Sequence, residues 1–176
     1  MGDVCAQPEL RDVFYMELAL AEAEAAAARG EVPVGAVVVC GERVVGRGFN
    51  CREERQSPLS HAELVAIEEA AGSLHSWRLS ECEIYVTLEP CVMCVGAILQ
   101  ARIARLVFGC LDAKAGAVES LYKLCEDARF NHRLPVRSGV LAERCALLLE
   151  DFFTKLRTRK KQLRTAERWP SPVEGA

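Results

Sequence analysis

The sequence predicts an α/β layered domain with a mixed sheet, on three observations. Helix-forming and β-branched segments alternate along the chain, and a hairpin pattern precedes the first crossover. The length of 176 residues, with 51% hydrophobic and 27% charged side chains, suits one compact domain rather than two. A domain of this size buries about 70% of its unfolded surface, so it should fold without metal or disulfide staples, and any metal site is expected to be functional.

In chain order, Leu10, Val13, Phe14 and the alanine-rich run Ala19–Ala28 predict a helix over Glu9–Arg29, stopped by Gly30. Val34–Cys40 and Val44–Phe49 are β-branched runs separated by Gly41-Glu42-Arg43, a hairpin pattern. The polar stretch Asn50–Ser60 with Pro58 reads as a loop. His61–Ala71 is then helical, with Ser60 as its N-cap and Gly72 as its stop. A loop through Trp77 and Ser80 is expected to extend past Cys82. Ile84–Thr87 is a buried strand running into Leu88-Glu89-Pro90, and Cys91–Ala101 resumes as a helix. Arg105–Gly109 and Val136–Val140 complete five strands, with a short helix or turn at Leu121–Leu124 between them. Ala142–Arg164 is a long terminal helix, and Pro170 and Pro172 mark a frayed end.

Composition narrows the function classes. No stretch reaches the roughly 18 apolar residues that span a bilayer, and Met1–Leu10 has no basic segment followed by an apolar run, so no membrane role or export is expected. Nine cysteines, an odd number in a chain without an export pattern, read as reduced thiols in the cytoplasm. Charge is uneven. From Thr154 onward seven basic residues (Lys155, Arg157, Arg159, Lys160, Lys161, Arg164, Arg168) face only Glu167 and Glu174, while residues 1–153 carry a net −8. A basic end on an acidic body is either a solvated helix end or a contact for polyanionic nucleic acid.

The chemistry concentrates at two helix starts, His61-Ala62-Glu63 and Pro90-Cys91-Val92-Met93-Cys94. Cysteines at i and i+3 share one helix face, and a helix N-terminus favours thiolates through its unpaired amides and dipole. One imidazole and two thiolates make three tetrahedral zinc ligands. Structural zinc sites use four protein ligands, so three leave a position for water or substrate and point to catalysis. Glu63 is placed to shuttle a proton rather than to ligate. His75 and His132 have no cysteine neighbours and no claim as ligands, and Cys82 falls in the predicted loop. Lone Cys-x-x-Cys would equally fit a redox dithiol or two core thiols; the ordered set of His-x-Glu and Pro-Cys-x-x-Cys is the signature of zinc-dependent nucleobase deaminases.

With these residues in view, the sequence resembles the cytidine/deoxycytidylate deaminase superfamily, and more closely the bacterial tRNA-specific adenosine deaminases. The resemblance runs over about Leu18–Arg157, carried by Glu31-Val32-Pro33-Val34-Gly35-Ala36, Asn50, His61-Ala62-Glu63 and Thr87–Cys94. Phe108–Gly116 with Asp112-Ala113-Lys114, Asn131-His132 and Asp151-Phe152-Phe153 extend it. It implies a three-layer cytidine-deaminase-like α/β fold, a mixed five-stranded sheet with helices on both faces. Residues 1–157 would be a single zinc-dependent deaminase domain, and 158–176 a basic helix end with a disordered tail.

The implied activity is hydrolytic deamination of adenosine to inosine at the wobble position of a transfer RNA anticodon, the substrate being an anticodon stem-loop, with an arginine transfer RNA expected. Zn2+, one per subunit, would sit on His61, Cys91 and Cys94 and acidify water, with Glu63 as the catalytic proton shuttle to adenine N1. The resemblance further assigns substrate contacts to Asn50, Val32, Asp112, Lys114 and Phe152, and implies a homodimer. Each contact has a plainer reading beside it. Asn50 could satisfy local backbone, Val32 could simply pack, Asp112 and Lys114 could form a solvated turn, and Phe152 or Phe153 could be core. Glu53–Ser60 and Val118-Glu119 depart from the family's pattern, which leaves loop contacts open. The competing functions are a free-base or nucleoside deaminase acting on guanine or cytosine, a non-catalytic zinc-binding RNA module, and a thiol oxidoreductase.

Overall fold

The computed structural model describes residues 8–167 and has the layered α/β architecture. Its elements are α1 (Pro8–Ala28), β1 (Gly35–Cys40), β2 (Arg43–Phe49), α2 (Arg52–Arg55), α3 (Ala62–Leu74), β3 (Cys82–Leu88), α4 (Val92–Gln100), β4 (Arg105–Cys110), β5 (Val136–Arg137) and α5 (Ala142–Glu167). The five-stranded sheet has the order β2-β1-β3-β4-β5. β1 pairs antiparallel with both β2 and β3, whereas β3, β4 and β5 run parallel, so the sheet is mixed. α4 supplies the crossover between the parallel neighbours β3 and β4.

Side-chain alternation explains the three layers. Ala36, Val38, Ile84, Val86, Leu106 and Phe108 face one cluster with Ala62, Ala66, Ala70, Val95 and Ile98 of α3 and α4. Val37, Val39, Tyr85 and Val107 face the opposite cluster with Tyr15, Met16, Ala19 and Leu20 of α1 and Cys145 of α5. The central strands are buried on both sides and therefore read as continuous apolar runs. Alanine-rich helices approach glycines in the strands very closely. A Cβ on Gly48 would lie 2.2 Å from the Ala62 carbonyl oxygen, and one on Gly35 would lie 2.1 Å from that of Ala19. This close approach sets the depth at which α3, and hence His61, lies on the sheet.

An ion-pair network locks the far side of the sheet. Fully buried Asp12 accepts from Tyr85 Oη at 2.9 Å, from both terminal nitrogens of Arg105 at 2.8 and 2.6 Å, and from Arg137 at 2.7 Å. Burial works against ionisation of Asp12, but these partners outweigh it and hold the carboxyl below its ordinary 3.8.

Several local expectations are corrected. α3 runs through Gly72 to Leu74 and is closed by His75 at φ 49°, because one interior glycine costs only about 1 kcal/mol. Its N-cap is His61 rather than Ser60, and β5 spans two residues because Gly139 at φ 83° breaks the extended run. Cys82 begins β3 rather than lying in a loop, and it is registered opposite Cys40. The stretch Asn50–Ser60 contains the short helix α2, and Leu121–Leu124, expected as a short helix or turn, is irregular and enters a turn at Leu124. α5 extends to Glu167, three residues past the expected end, and the expected disordered tail with Pro170 and Pro172 lies outside the described residues.

Candidate active site

The two helix starts meet where α3 and α4 begin. His61 and Cys91 are the N-cap residues of their helices, both extended (φ −79°, ψ 151° and φ −76°, ψ 173°), and neither side chain caps its own helix. Both side chains turn toward each other instead. Cys91 Sγ lies 3.8 Å and Cys94 Sγ 3.5 Å from His61 Nδ1, with the two sulfurs 3.7 Å apart. Tetrahedral zinc with Zn–S about 2.3 Å and Zn–N about 2.0–2.1 Å requires about 3.8 Å between sulfurs and about 3.6 Å from sulfur to nitrogen. All three separations fit within about 0.3 Å. Among the described residues this is the one group of histidine, cysteine and acidic side chains close enough to hold a metal ion.

Among the protein groups alone, charge is already divided within the trio. The hydrogen bond from Cys94 pulls the Cys91 thiol down to about 3 against the effect of burial, with His61 adding to it. The same bond and burial push Cys94 up, and His61 is raised by its bond to Cys91. Binding a dication would displace the remaining protons. Glu63, in the first turn of α3, is 4% exposed, and burial raises its carboxyl above the usual range. A carboxyl raised in this way holds and releases a proton more readily at its working pH than an exposed one, as proton exchange with a substrate requires.

A cavity of about 150 Å³ opens beside the trio, lined by Val32, Asn50, Arg52, Glu63, Leu88 and Asp112 among others. A cavity of about this volume accepts a single aromatic ring. Of the residues anticipated from the sequence, His61, Cys91, Glu63, Asn50, Val32 and Asp112 converge here, with Cys94 completing the donor trio. Lys114 is exposed on the adjoining loop. Asp112 makes a turn, its Oδ1 accepting from Lys114 N at 2.9 Å and Ala115 N at 3.2 Å. Phe152 is half-buried, belongs to neither core cluster, and packs edge to face on Phe153 at 5.4 Å.

Two buried acids that sequence reasoning gave no role support this site. Glu89, 2% exposed, receives the amides of Asp112 (3.0 Å), Val118 (3.1 Å), Glu119 (2.7 Å) and Ser120 (2.9 Å) and the Ser120 hydroxyl. Burial opposes its ionisation, but the Ser120 hydroxyl and these amides hold the carboxyl at about 2. Glu89 thereby ties the Asp112–Ser120 loop to the residue pair that precedes Cys91. Gly116 is part of the same clamp, because a Cβ there would come within 2.2 Å of Glu89 Oε2. Glu31, also 2% exposed, bonds Asn50 Nδ2 at 3.0 Å and Glu54 N at 2.6 Å. A charged residue among apolar neighbours, as in Leu88-Glu89-Pro90, is the signal that could have revealed them, since a buried carboxylate demands donors.

The chain is similar to deaminases in sequence and in fold. The MafB19-like deaminase family matches residues 11–157. The tRNA-specific adenosine deaminase of Bacillus subtilis is 45% identical over 154 residues, covering 88% of this chain and 96% of that protein. The Haemophilus influenzae protein of the same name is 48% identical over 151 residues, covering 85% and 87%. A solved structure from work on A-to-I editing by tRNA:A34 deaminases superposes with a TM-score of 0.75 at 43% identity, over 77% of this chain and 99% of that one. A guanine deaminase from Nitrosomonas europaea superposes with a TM-score of 0.63 at 25% identity, over 83% and 84%.

Proposed function

The chain belongs to the tRNA-specific adenosine deaminases within the MafB19-like deaminase family, and on that premise we propose that it converts the wobble adenosine of a transfer RNA anticodon to inosine by hydrolysis. One observation carries the reading. Three donor atoms 3.5–3.8 Å apart stand at the wall of a ring-sized cavity that also contains a buried carboxyl.

A zinc ion on His61, Cys91 and Cys94 would supply an acidified water as nucleophile. The protein's own part is proton transfer and orientation. Neutral adenine is a poor electrophile at C6, so Glu63 takes a proton from the attacking water and delivers it to N1 as the oxygen adds to C6, and it then carries the water's second proton to the exocyclic nitrogen as ammonia departs. Val32 and Asn50 border the base, Asp112 and Lys114 meet neighbouring nucleotides, and Phe152 offers a ring on which an unpaired base can stack. Residues 1–157 form the deaminase domain. The basic stretch from Lys155 onward, most of it beyond the family match, serves as an electrostatic arm for the RNA backbone. Exposed Leu59, Val92 and Leu111 lie in sequence beside the site residues and support a homodimer, and the free thiols of the described cysteines support a cytoplasmic setting.

The test is inosine formation in an arginine transfer RNA with an ACG anticodon, beside free adenosine, cytidine and guanine. Conversion confined to the wobble base supports the proposal. Ammonia release from a free base by the zinc-loaded protein, with the transfer RNA untouched, would reassign it to the branch that includes the guanine deaminase.

A further inference from the structure

Asn50 directly follows β2, with its backbone amide bonded to the Val34 carbonyl at 2.9 Å, and its side chain borders the cavity. Which way its amide faces decides what substrate group it can bind, and the answer lies in its buried neighbour. Both oxygens of Glu31 act as acceptors, Oε1 toward Glu54 N and Oε2 toward Asn50, so the Asn50 atom facing Oε2 at 3.0 Å is the donor Nδ2. Asn50 Oδ1 has no partner among the described residues, yet no fully buried side-chain nitrogen or oxygen there lacks one. The oxygen is therefore accessible, on a residue only 8% exposed whose accessible surroundings include the cavity.

We infer that Glu31 is a positioning residue. It fixes the Asn50 amide with its acceptor toward the substrate, so that the group bound there must be a hydrogen-bond donor. Glu31 Oε1 is occupied by Glu54 N at 2.6 Å, so the carboxylate is anchored at both oxygens and cannot turn away. The inference rests on the adenosine reading above. An adenosine within RNA offers two donors, the exocyclic amine and the ribose 2′-hydroxyl. The amine is the leaving group and belongs beside Glu63, which leaves the 2′-hydroxyl for Asn50.

Glu31→Gln tests this without changing volume. A glutamine there sets one donor against another, either at Asn50 or at Glu54 N. The companion variant Glu31→Gln/Asn50→Asp restores a donor facing an acceptor and again leaves an acceptor for the substrate. A synthetic anticodon stem-loop would carry either adenosine or 2′-deoxyadenosine at the target position. The expected result is a loss of about tenfold or more in kcat/KM for Glu31→Gln, the size of one productive hydrogen bond. Zinc content should stay close to wild type, the melting temperature should fall by only a few degrees, and both that fall and most of the lost activity should be recovered in the double variant. The deoxy substrate should cost wild type a similar factor and cost Glu31→Gln little more. Wild-type kcat/KM in Glu31→Gln, a loss that Asn50→Asp does not rescue, or fully additive losses from variant and deoxy substrate would each overturn the inference. A wild type that converts no adenosine in RNA would overturn the functional reading, and this inference with it.

Discussion

Replacing Glu89 by glutamine should detach the Asp112–Ser120 loop from the start of α4. The carboxylate receives four backbone amides and one hydroxyl within 2% exposure, so each acceptor position is accounted for. In the variant, the carbonyl oxygen can keep the amides of Val118, Glu119 and Ser120, and the new amino group can donate to Ser120 Oγ. Asp112 N then faces a donor and is left unpaired, at a cost of about 1–3 kcal/mol. The three retained bonds lose their charge assistance, which removes roughly 0.5 kcal/mol or more each. The sum is about 3 kcal/mol, or a fall of about 6–12 °C in melting temperature for a chain of this size. Urea denaturation of the zinc-loaded protein measures the first quantity. Hydrogen exchange at Asp112 and at residues 118–120 shows whether the loss is local. A change below about 1 kcal/mol with unaltered exchange at these amides would refute the reasoning, which takes backbone bonds to a buried charge at about 1.5 kcal/mol or more apiece.

Other expected outcomes follow from the packing and the charges. Gly48→Ala puts a methyl group 2.2 Å from the Ala62 carbonyl, so α3 must lift and carry His61 away from the thiols; bound zinc measured after dialysis should fall well below one equivalent. Asp12 and Glu83 both have carboxyls held below their ordinary values in the folded state. Their stabilisation is present above about pH 4 and is lost as pH falls through the depressed folded values. Denaturant midpoints between pH 5 and 3 should therefore decline steeply, and more gently in Asp12→Asn, which starts lower by about 3 kcal/mol. Deleting Thr158–Ala176 removes five basic residues. Transfer RNA affinity should weaken and its logarithmic salt slope flatten by about 0.7 for each phosphate left without a cationic partner, whereas equal affinity at several salt concentrations would return the arm to a solvated helix end.

The clustering of His61, Cys91 and Cys94 was legible because its chemistry is written in short spacings. His-x-Glu and Cys-x-x-Cys each sit at a helix start, and the fold had only to bring two starts together. The central strands were equally plain, since burial on both faces leaves Val37-Val38-Val39 no polar partner to interrupt the run. The end of α3 was not legible, because packing of its alanine face against Gly46 and Gly48 outweighs the propensity cost of Gly72. The shortness of β5 depends on a positive φ at Gly139 that β-branched neighbours do not announce. Glu31 and Glu89 escaped for a further reason. Glu89 bonds mainly to backbone amides, which carry no residue identity, and Glu31 meets Asn50 only after the hairpin folds back across 19 positions.

The central claim is that Glu63 moves the proton beside a metal held by His61, Cys91 and Cys94. It is tested most directly by Glu63→Gln loaded with zinc and assayed in single turnover on an adenosine-containing anticodon stem-loop. The account requires one equivalent of zinc, a wild-type melting temperature and RNA affinity, and inosine formation reduced by at least about 10³-fold, in the upper part of the usual range of about 10²–10⁴ for a general acid–base group because the same carboxyl serves both proton transfers. Inosine formed at a rate near wild type, or zinc lost along with the carboxyl, would contradict it.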